Sequence, residues 1–157
     1  QAMPAYEPRS IKGLGVTFAT TPQGADHTAG QTIRAQVDHR SPEGQVEVSY
    51  NAQHIAIVVD SLGVCFMASG PIFTKDNIKH IANLVSGYIG QDVSEEDIRA
   101  MARNCLKTEH AFNRDAGFTK AHDRLPEYMY LETNEAANTR FDVKDEELDK
   151  IGVTAAH

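Results

Sequence analysis

Asp60 and Cys65 close the apolar run Ile55-Ala56-Ile57-Val58-Val59, within the stretch Asp60-Ser61-Leu62-Gly63-Val64-Cys65. A carboxylate that close to an apolar stretch is costly unless it is paired or hydrogen-bonded. A thiol there is either an inert small hydrophobe or a ligand. By residue type alone, the bland reading is a helix-surface acid followed by a core thiol. The other reading is an acceptor and a soft ligand held at the end of one element.

A second constellation is Gly24-Ala25-Asp26-His27-Thr28-Ala29-Gly30. Two glycines bracket an Asp-His pair that leads into a predicted helix. A helix N-terminus offers free N–H groups and a positive dipole end, which suits an anionic ligand. His27 can donate a hydrogen bond or carry a proton there. The bland reading makes Asp26 an ordinary cap and His27 a surface residue. No strand with Gly-x-Gly-x-x-Gly precedes this turn, so it is not a dinucleotide fingerprint, and neither is Gly13-Leu14-Gly15.

A third segment is Thr108-Glu109-His110-Ala111-Phe112-Asn113-Arg114-Asp115-Ala116-Gly117-Phe118, followed by Asp123-Arg124-Leu125-Pro126-Glu127. Asn113 is expected to cap a helix end, and Asp123 with Arg124 to form ion pairs. Cys105 falls on an apolar stripe and reads as a core thiol. His54, His80 and His110 have no ligand spacing to a second His or Cys and read as surface or supporting residues. No Cys-x-x-Cys occurs, so no zinc or cluster site is complete in this chain.

The elements that must position these residues are mostly helical. Ile11 to Thr20 is predicted as a short helix ending at Thr21-Pro22-Gln23-Gly24. A second helix is predicted from His27 or Thr28 to Val37, followed by a loop over Arg40-Ser41-Pro42-Glu43-Gly44-Gln45. Asn51 to Ala68 is apolar on all sides, hence buried, as helix by its length or strand by its β-branching. Thr74 is a good N-cap for a helix with Ile78, Ile81, Leu84, Val85, Tyr88 and Ile89 on one face, and Gly90 as its stop. Ser94 caps a long helix with Glu95, Glu96 and Asp97 in its first turn, where the dipole favours anions. Its stripe is Ile98, Met101, Ala102, Cys105, Leu106 and Phe112, and Gly117 ends it. Phe118 to Arg140 reads as irregular, broken by Pro126. Asp142 to Ile151 reads as a short acidic helix, with a frayed tail after it.

Composition sets broad bounds. The 157 residues fit one domain. A net charge of −7 argues against non-specific nucleic-acid binding. No apolar run approaches the roughly 18–20 residues of a membrane span. The start, Gln1-Ala2-Met3-Pro4, lacks the basic residues and apolar core of a secretory leader. Two cysteines do not suggest a disulfide scaffold, so a reducing cytoplasm is expected.

Together the motifs resemble the tungsten-containing aldehyde:ferredoxin oxidoreductase family. Asp60-Ser61-Leu62-Gly63-Val64-Cys65 resembles its Asp-x-x-Gly-Leu-Cys, with Val64 where the family usually has Leu. Tyr6-Glu7-Pro8-Arg9, Gly13, Ala19-Thr20 and Gly24-Ala25-Asp26-His27 resemble the start of the family's last domain. The Glu109–Gly117 and Asp123–Pro126 stretches resemble its Glu-x-x-Phe-Asn-x-x-x-Gly and Asp-x-Leu-Pro. The resemblance covers Met3 to about Ile151. It implies an irregular, mainly α domain over residues 1–157, the C-terminal part of a longer enzyme whose N-terminal pterin-binding domain lies outside this chain. By the same resemblance, Asp60 holds the pterin's ring N–H groups, for which a carboxylate is a natural bidentate acceptor. Gly63 lets the cofactor approach the backbone. Val64 lies in the cofactor-binding motif, and Cys65 is the fourth ligand of a 4Fe–4S cluster.

The resemblance further makes His27 the histidine close to the metal, sharing its role with a glutamate from outside the chain. The implied cofactors are a tungsten bis-pterin, with no tungsten ligand from this domain, and the 4Fe–4S cluster. The implied reaction oxidises an aldehyde to a carboxylic acid and passes electrons to ferredoxin. A chain lacking the other cluster ligands is expected to be inactive and to hold none of these cofactors by itself. Two alternatives stay open: the same cofactor class acting on another substrate, such as an aromatic acyl thioester, or a non-catalytic helical interaction module.

Overall fold

The computed structural model describes residues 5–67 and 78–155. Among them helices are the only regular elements, apart from one isolated antiparallel bridge between Asn134 and Thr139. In chain order they are α1 (Lys12–Thr20), a 3₁₀ turn (His27–Ala29), α2 (Gln45–Ser61), α3 (Ile78–Ile89), α4 (Glu95–Asp115), α5 (Tyr128–Leu131) and α6 (Asp145–Leu148). The mainly α expectation holds. The proposed Thr74 cap lies outside the described residues.

Helix α1 is buried along its whole length. Leu14, Val16, Phe18 and Ala19 join Leu125, Met129, Phe141, Val143, Leu148 and Ile151 in a first apolar core. The C-terminal third of the chain therefore wraps the N-terminal helix. Close approach explains Gly15: a Cβ there would sit 2.5 Å from the Phe141 ring. Lys12 opens the helix yet is only 2% exposed, and its Nζ meets Asp142 Oδ1 at 2.6 Å. A buried ammonium needs such a partner.

A second core joins Val58 of α2, Ile81 and Ala82 of α3, and Ile98 and Ala102 of α4. Helix α4 starts as its sequence dictates. The Ser94 hydroxyl accepts the Asp97 N–H while the Asp97 carboxylate accepts the Ser94 N–H, a reciprocal capping box. It ends at Gly117 (φ 95°), where the Phe118 N–H reaches the Asn113 carbonyl. Gly90 (φ 71°) closes α3 in the same left-handed way.

Three expectations are corrected. The helix predicted from His27 to Val37 is only the 3₁₀ turn His27–Ala29 followed by turns. Local side chains compete for its backbone: Gln31 Oε1 accepts the Ile33 N–H, and Asp38 Oδ1 accepts the Arg40 N–H. The acidic helix shrinks from Asp142–Ile151 to Asp145–Leu148, because Asp142 is held by Lys12 and Val143 is packed in the core. The buried segment expected from Asn51 is a helix that begins earlier, at Gln45, and it is not apolar all round: Asn51, Asp60 and Ser61 are exposed.

A polar seam joins α1 to α2 between the two cores. Gln53 Nε2 donates to Ser49 Oγ (3.2 Å) and to Thr20 Oγ1 (3.0 Å). Ser49 Oγ meets Thr17 Oγ1 at 2.8 Å, and Thr17 Oγ1 donates to the Gly30 carbonyl at 2.8 Å. Thr17 and Ser49 are fully buried and Gln53 nearly so. Such groups need partners, and the two hydroxyls and the Gln53 amide N–H supply them to one another, while Gln53 Oε1 accepts no hydrogen bond among the described residues.

Candidate functional site

The Asp60–Cys65 motif is the C-terminus of α2. The Gly63 N–H reaches the Asp60 carbonyl (3.2 Å) and the Val64 N–H reaches the Val59 carbonyl (3.0 Å). Gly63 sits at φ 64°, the left-handed conformation such a helix end requires. A Cβ on Gly63 would meet nothing within 4 Å, so its backbone faces open space. Gly63 thus stops the helix as well as leaving its backbone approachable. Cys65 follows directly and is exposed, not a core thiol.

Asp60 lies in the last turn of α2, where the negative end of the helix dipole disfavours an anion. Among the described residues its carboxylate accepts no hydrogen bond and joins no ion pair. It borders a cleft of about 410 Å³ between α2 and α4, lined also by Gln53, Cys105, Thr108, Glu109 and Asn113. Burial raises the Glu109 carboxyl above its ordinary range, and the Asp60 charge raises it further. Burial, with Glu109 second, raises the Cys105 thiol as well. The lining of this cleft carries two carboxylates, Asp60 and Glu109, and no Lys, Arg or His among the described residues.

Cys105, Glu109 and Gln53 were not among the residues singled out for chemistry. Cys105 was expected in the core; it is half-buried at the cleft, because the buried stripe of α4 runs through Ile98, Ala102, Leu106 and His110 instead. Phe112, expected on that stripe, is 73% exposed, and His110, read as a surface or supporting residue, is 1% exposed and so not on the surface. The helical spacing from Cys105 to Glu109 put both on one face and was a signal available in the sequence.

His27 opens the 3₁₀ turn that Asp26 caps: Asp26 Oδ1 accepts the Thr28 N–H at 2.8 Å. That bond, more than any other contact, holds the Asp26 carboxyl below its ordinary range. Asp26 Oδ1 lies 3.9 Å from His27 Nδ1, leaving Nε2 as the nitrogen farther from that carboxylate. The Tyr6 and His27 rings pack edge to face, with centroids 5.3 Å apart and planes at 67°. Tyr6 itself has φ 76°, uncommon for an aromatic residue. The Glu7–Arg9 ion pair follows Tyr6, and Asn134 donates to the Glu7 carboxylate, which fastens this segment to the bridge.

Helix α2 stands between two clefts. Asp60 and Ala29 border the one described above. Tyr6, Arg34, Ile55, Val59, Phe66 and Met67 border a second, of about 520 Å³, on the other side. The His27 turn borders the first through Ala29, while His27 itself and Cys65 line neither. Phe66, the neighbour of Cys65, borders the second. The structure therefore brings the His27 turn to α2 and Asp60 to the first cleft, with Cys65 outside both. Among the described residues no group of three or more His, Cys, Asp or Glu is placed to hold a metal ion. No helix there is long and apolar enough to cross a membrane.

The family model described as aldehyde ferredoxin oxidoreductase, domains 2 and 3, matches residues 1–151, and the chain belongs to that family. It is similar to the tungsten-containing aldehyde ferredoxin oxidoreductase of Pyrococcus furiosus, 24% identical over 138 residues, which cover 83% of this chain and 22% of that protein. The protein of the same description from Thermococcus kodakarensis has the same identity and coverage. That from Pyrococcus abyssi is 24% identical over 141 residues, 84% of this chain and 23% of its own length. The chain thus spans less than a quarter of these curated relatives.

Proposed function

We propose that this chain is the C-terminal domain of a longer tungsten–pterin oxidoreductase that converts aldehydes to carboxylic acids, with ferredoxin as electron acceptor. The observation that carries the proposal is Asp60. Its carboxylate is held without a partner, among the described residues, at the wrong end of a helix dipole and beside a second acid. With no protein partner among the described residues, this exposed carboxylate is open to a donor-bearing ligand, and the amino-pyrimidine edge of a pterin presents two N–H groups to a carboxylate in parallel. The residues present therefore fit that group.

When bound, a tungsten–pterin group supplies the redox chemistry of the oxidation. The chain's own residues act around it. Asp60 accepts the ring N–H groups. Gly63, with open space where a Cβ would stand, admits a ligand against the backbone. The exposed Cys65 supplies one thiolate to a 4Fe–4S cluster, whose remaining ligands come from elsewhere in the longer protein. His27 Nε2 holds or moves a proton at the substrate oxygen. By itself the chain is inactive, because one thiol cannot hold a cluster and one face cannot enclose a pterin.

Exposed apolar side chains support a covering partner in the same protein. Leu84 (68% exposed), Tyr88 (92%) and Phe112 (73%) are large residues left in solvent by this chain alone.

The test uses the longer protein that carries this chain, purified without oxygen, with Cys65→Ser and Cys105→Ser compared. Cys65→Ser is expected to lose iron and the cluster's visible absorption. Cys105→Ser is expected to keep both. Full iron in the Cys65 variant would remove the cluster assignment.

A further inference from the structure

The loop that carries His27 is fastened at both ends by side chains from other elements. At its start, Asn113 Nδ2, from the last turn of α4, donates to the Pro22 carbonyl at 2.8 Å. Thr21 Oγ1 donates to the Gly24 carbonyl at 2.6 Å, tightening the same corner. At its end, Thr17 Oγ1 donates to the Gly30 carbonyl at 2.8 Å, while Ser49 Oγ lies 2.8 Å from the same hydroxyl. Gly30 is extended at φ 172°, so its backbone alone does not demand glycine. What demands it is space: a Cβ would stand 3.0 Å from Gln53 Cγ and 3.1 Å from Thr17 Cγ2 and Oγ1.

We infer that Thr17 and Asn113 are positioning residues for His27, fixing the two ends of its loop to α1 and α4 so that the imidazole keeps one place against Tyr6. This rests on the reading of His27 given above. Within the loop, Asp26 caps the single 3₁₀ turn His27–Ala29, and Ala25 packs on the first core. A short 3₁₀ turn is a weak element by itself. The two anchors add the ties that hold the ends of the loop to α1 and α4. Asn113 was expected to cap its own helix. Instead its side chain reaches a residue 91 positions away, and its backbone carbonyl does the closing. Reaching so far to a bare carbonyl is a contact with no use in ending α4.

Thr17→Val keeps the side-chain shape and removes the hydroxyl; Thr17→Ser keeps the hydroxyl. In this chain the readout is the nuclear Overhauser contact between the His27 and Tyr6 rings. Thr17→Val and Asn113→Ala are expected to lose it, and Thr17→Ser to retain it. In the longer protein, Thr17→Val is expected to lower kcat roughly 10²-fold, the scale of a misplaced catalytic group. KM, metal and pterin content are expected to stay unchanged, and Thr17→Ser to restore turnover. A folded Thr17→Val with the ring contact and kcat intact overturns the inference. If Thr17→Val does not fold, Asn113→Ala decides in the same way, since it disturbs no core. His27→Asn separates the two claims. A loss of roughly 10²–10⁴-fold there, with Thr17→Val unaffected, defeats the positioning alone. Unchanged turnover in His27→Asn defeats the reading of His27, and the ring contact then judges Thr17 and Asn113 by itself.

Discussion

Asp60→Asn separates binding from folding, because the structure assigns the carboxylate a cost to the fold and no partner within it. The substitution keeps the volume and the helix propensity nearly constant. It removes an anion from the last turn of α2, where the dipole opposes it by about 0.3–1 kcal/mol. It also removes one of the two charges that face each other across the α2–α4 cleft. No hydrogen bond or ion pair among the described residues is lost in exchange. The chain is therefore expected to gain about 0.3–1 kcal/mol, or about 1–4 °C in Tm for a domain of this size. Glu109 reports the change directly: its carboxyl is expected to titrate lower in Asp60→Asn while staying above the ordinary 4.5, because burial is the larger cause of its shift. The longer protein is expected to pay in pterin and tungsten content, since an amide offers one acceptor where a carboxylate offered two. Urea unfolding of the chain, NMR titration of Glu109 and metal analysis read the three effects. A loss of stability above about 1 kcal/mol would show that Asp60 holds the fold together, beyond any dipole effect, and would refute the reasoning.

Further outcomes follow from the same geometry. Under native conditions Cys65 is expected to alkylate faster than Cys105, since Cys65 is exposed while burial and Glu109 raise the Cys105 thiol; equal rates would contradict this. Gly15→Ala is expected to cost about 1–3 kcal/mol through overpacking against Phe141. Gly63→Ala, with nothing in its way, is expected to cost about 1–2 kcal/mol from its left-handed backbone alone; denaturant midpoints separate the two. Because Glu109 has a raised folded pKa, its contribution to stability is present below 4.5 and is lost as pH rises through the folded value. Glu109→Gln is therefore expected to flatten the fall in stability on that side, and an unchanged pH profile would argue against the shift.

Much of this fold was legible because local chemistry and tertiary packing agree. Ser94 and Asp97 announce the start of α4, and Gly90 and Gly117 mark ends that the backbone takes up in left-handed form. The helix expected over His27–Val37 fails for a tertiary reason beside the local competition of Gln31 and Asp38, since Thr17 holds Gly30 extended and close to α1. Asp142 fails to join the last helix because a lysine 130 positions earlier needs its charge. Neither partner could be paired from periodicity. The candidate site was legible through the family resemblance more than through residue types, which by themselves read Asp60 as a surface acid, Cys65 as a core thiol and His27 as a surface residue; the helix end explains why Gly63 stands between Asp60 and Cys65. Glu109 and Cys105 were hidden because their meaning depends on α4 lying against α2, a packing that apolar stripes alone do not specify.

The central claim is that Asp60 and Cys65 serve a pterin and a cluster in a longer protein. Its most direct test is tungsten, pterin and iron analysis of that protein, purified without oxygen. The expected result is tungsten, pterin and cluster iron together, with pterin lost in Asp60→Asn and iron lost in Cys65→Ser. A protein that purifies active and fully folded, yet carries neither pterin nor cluster iron, would contradict the account.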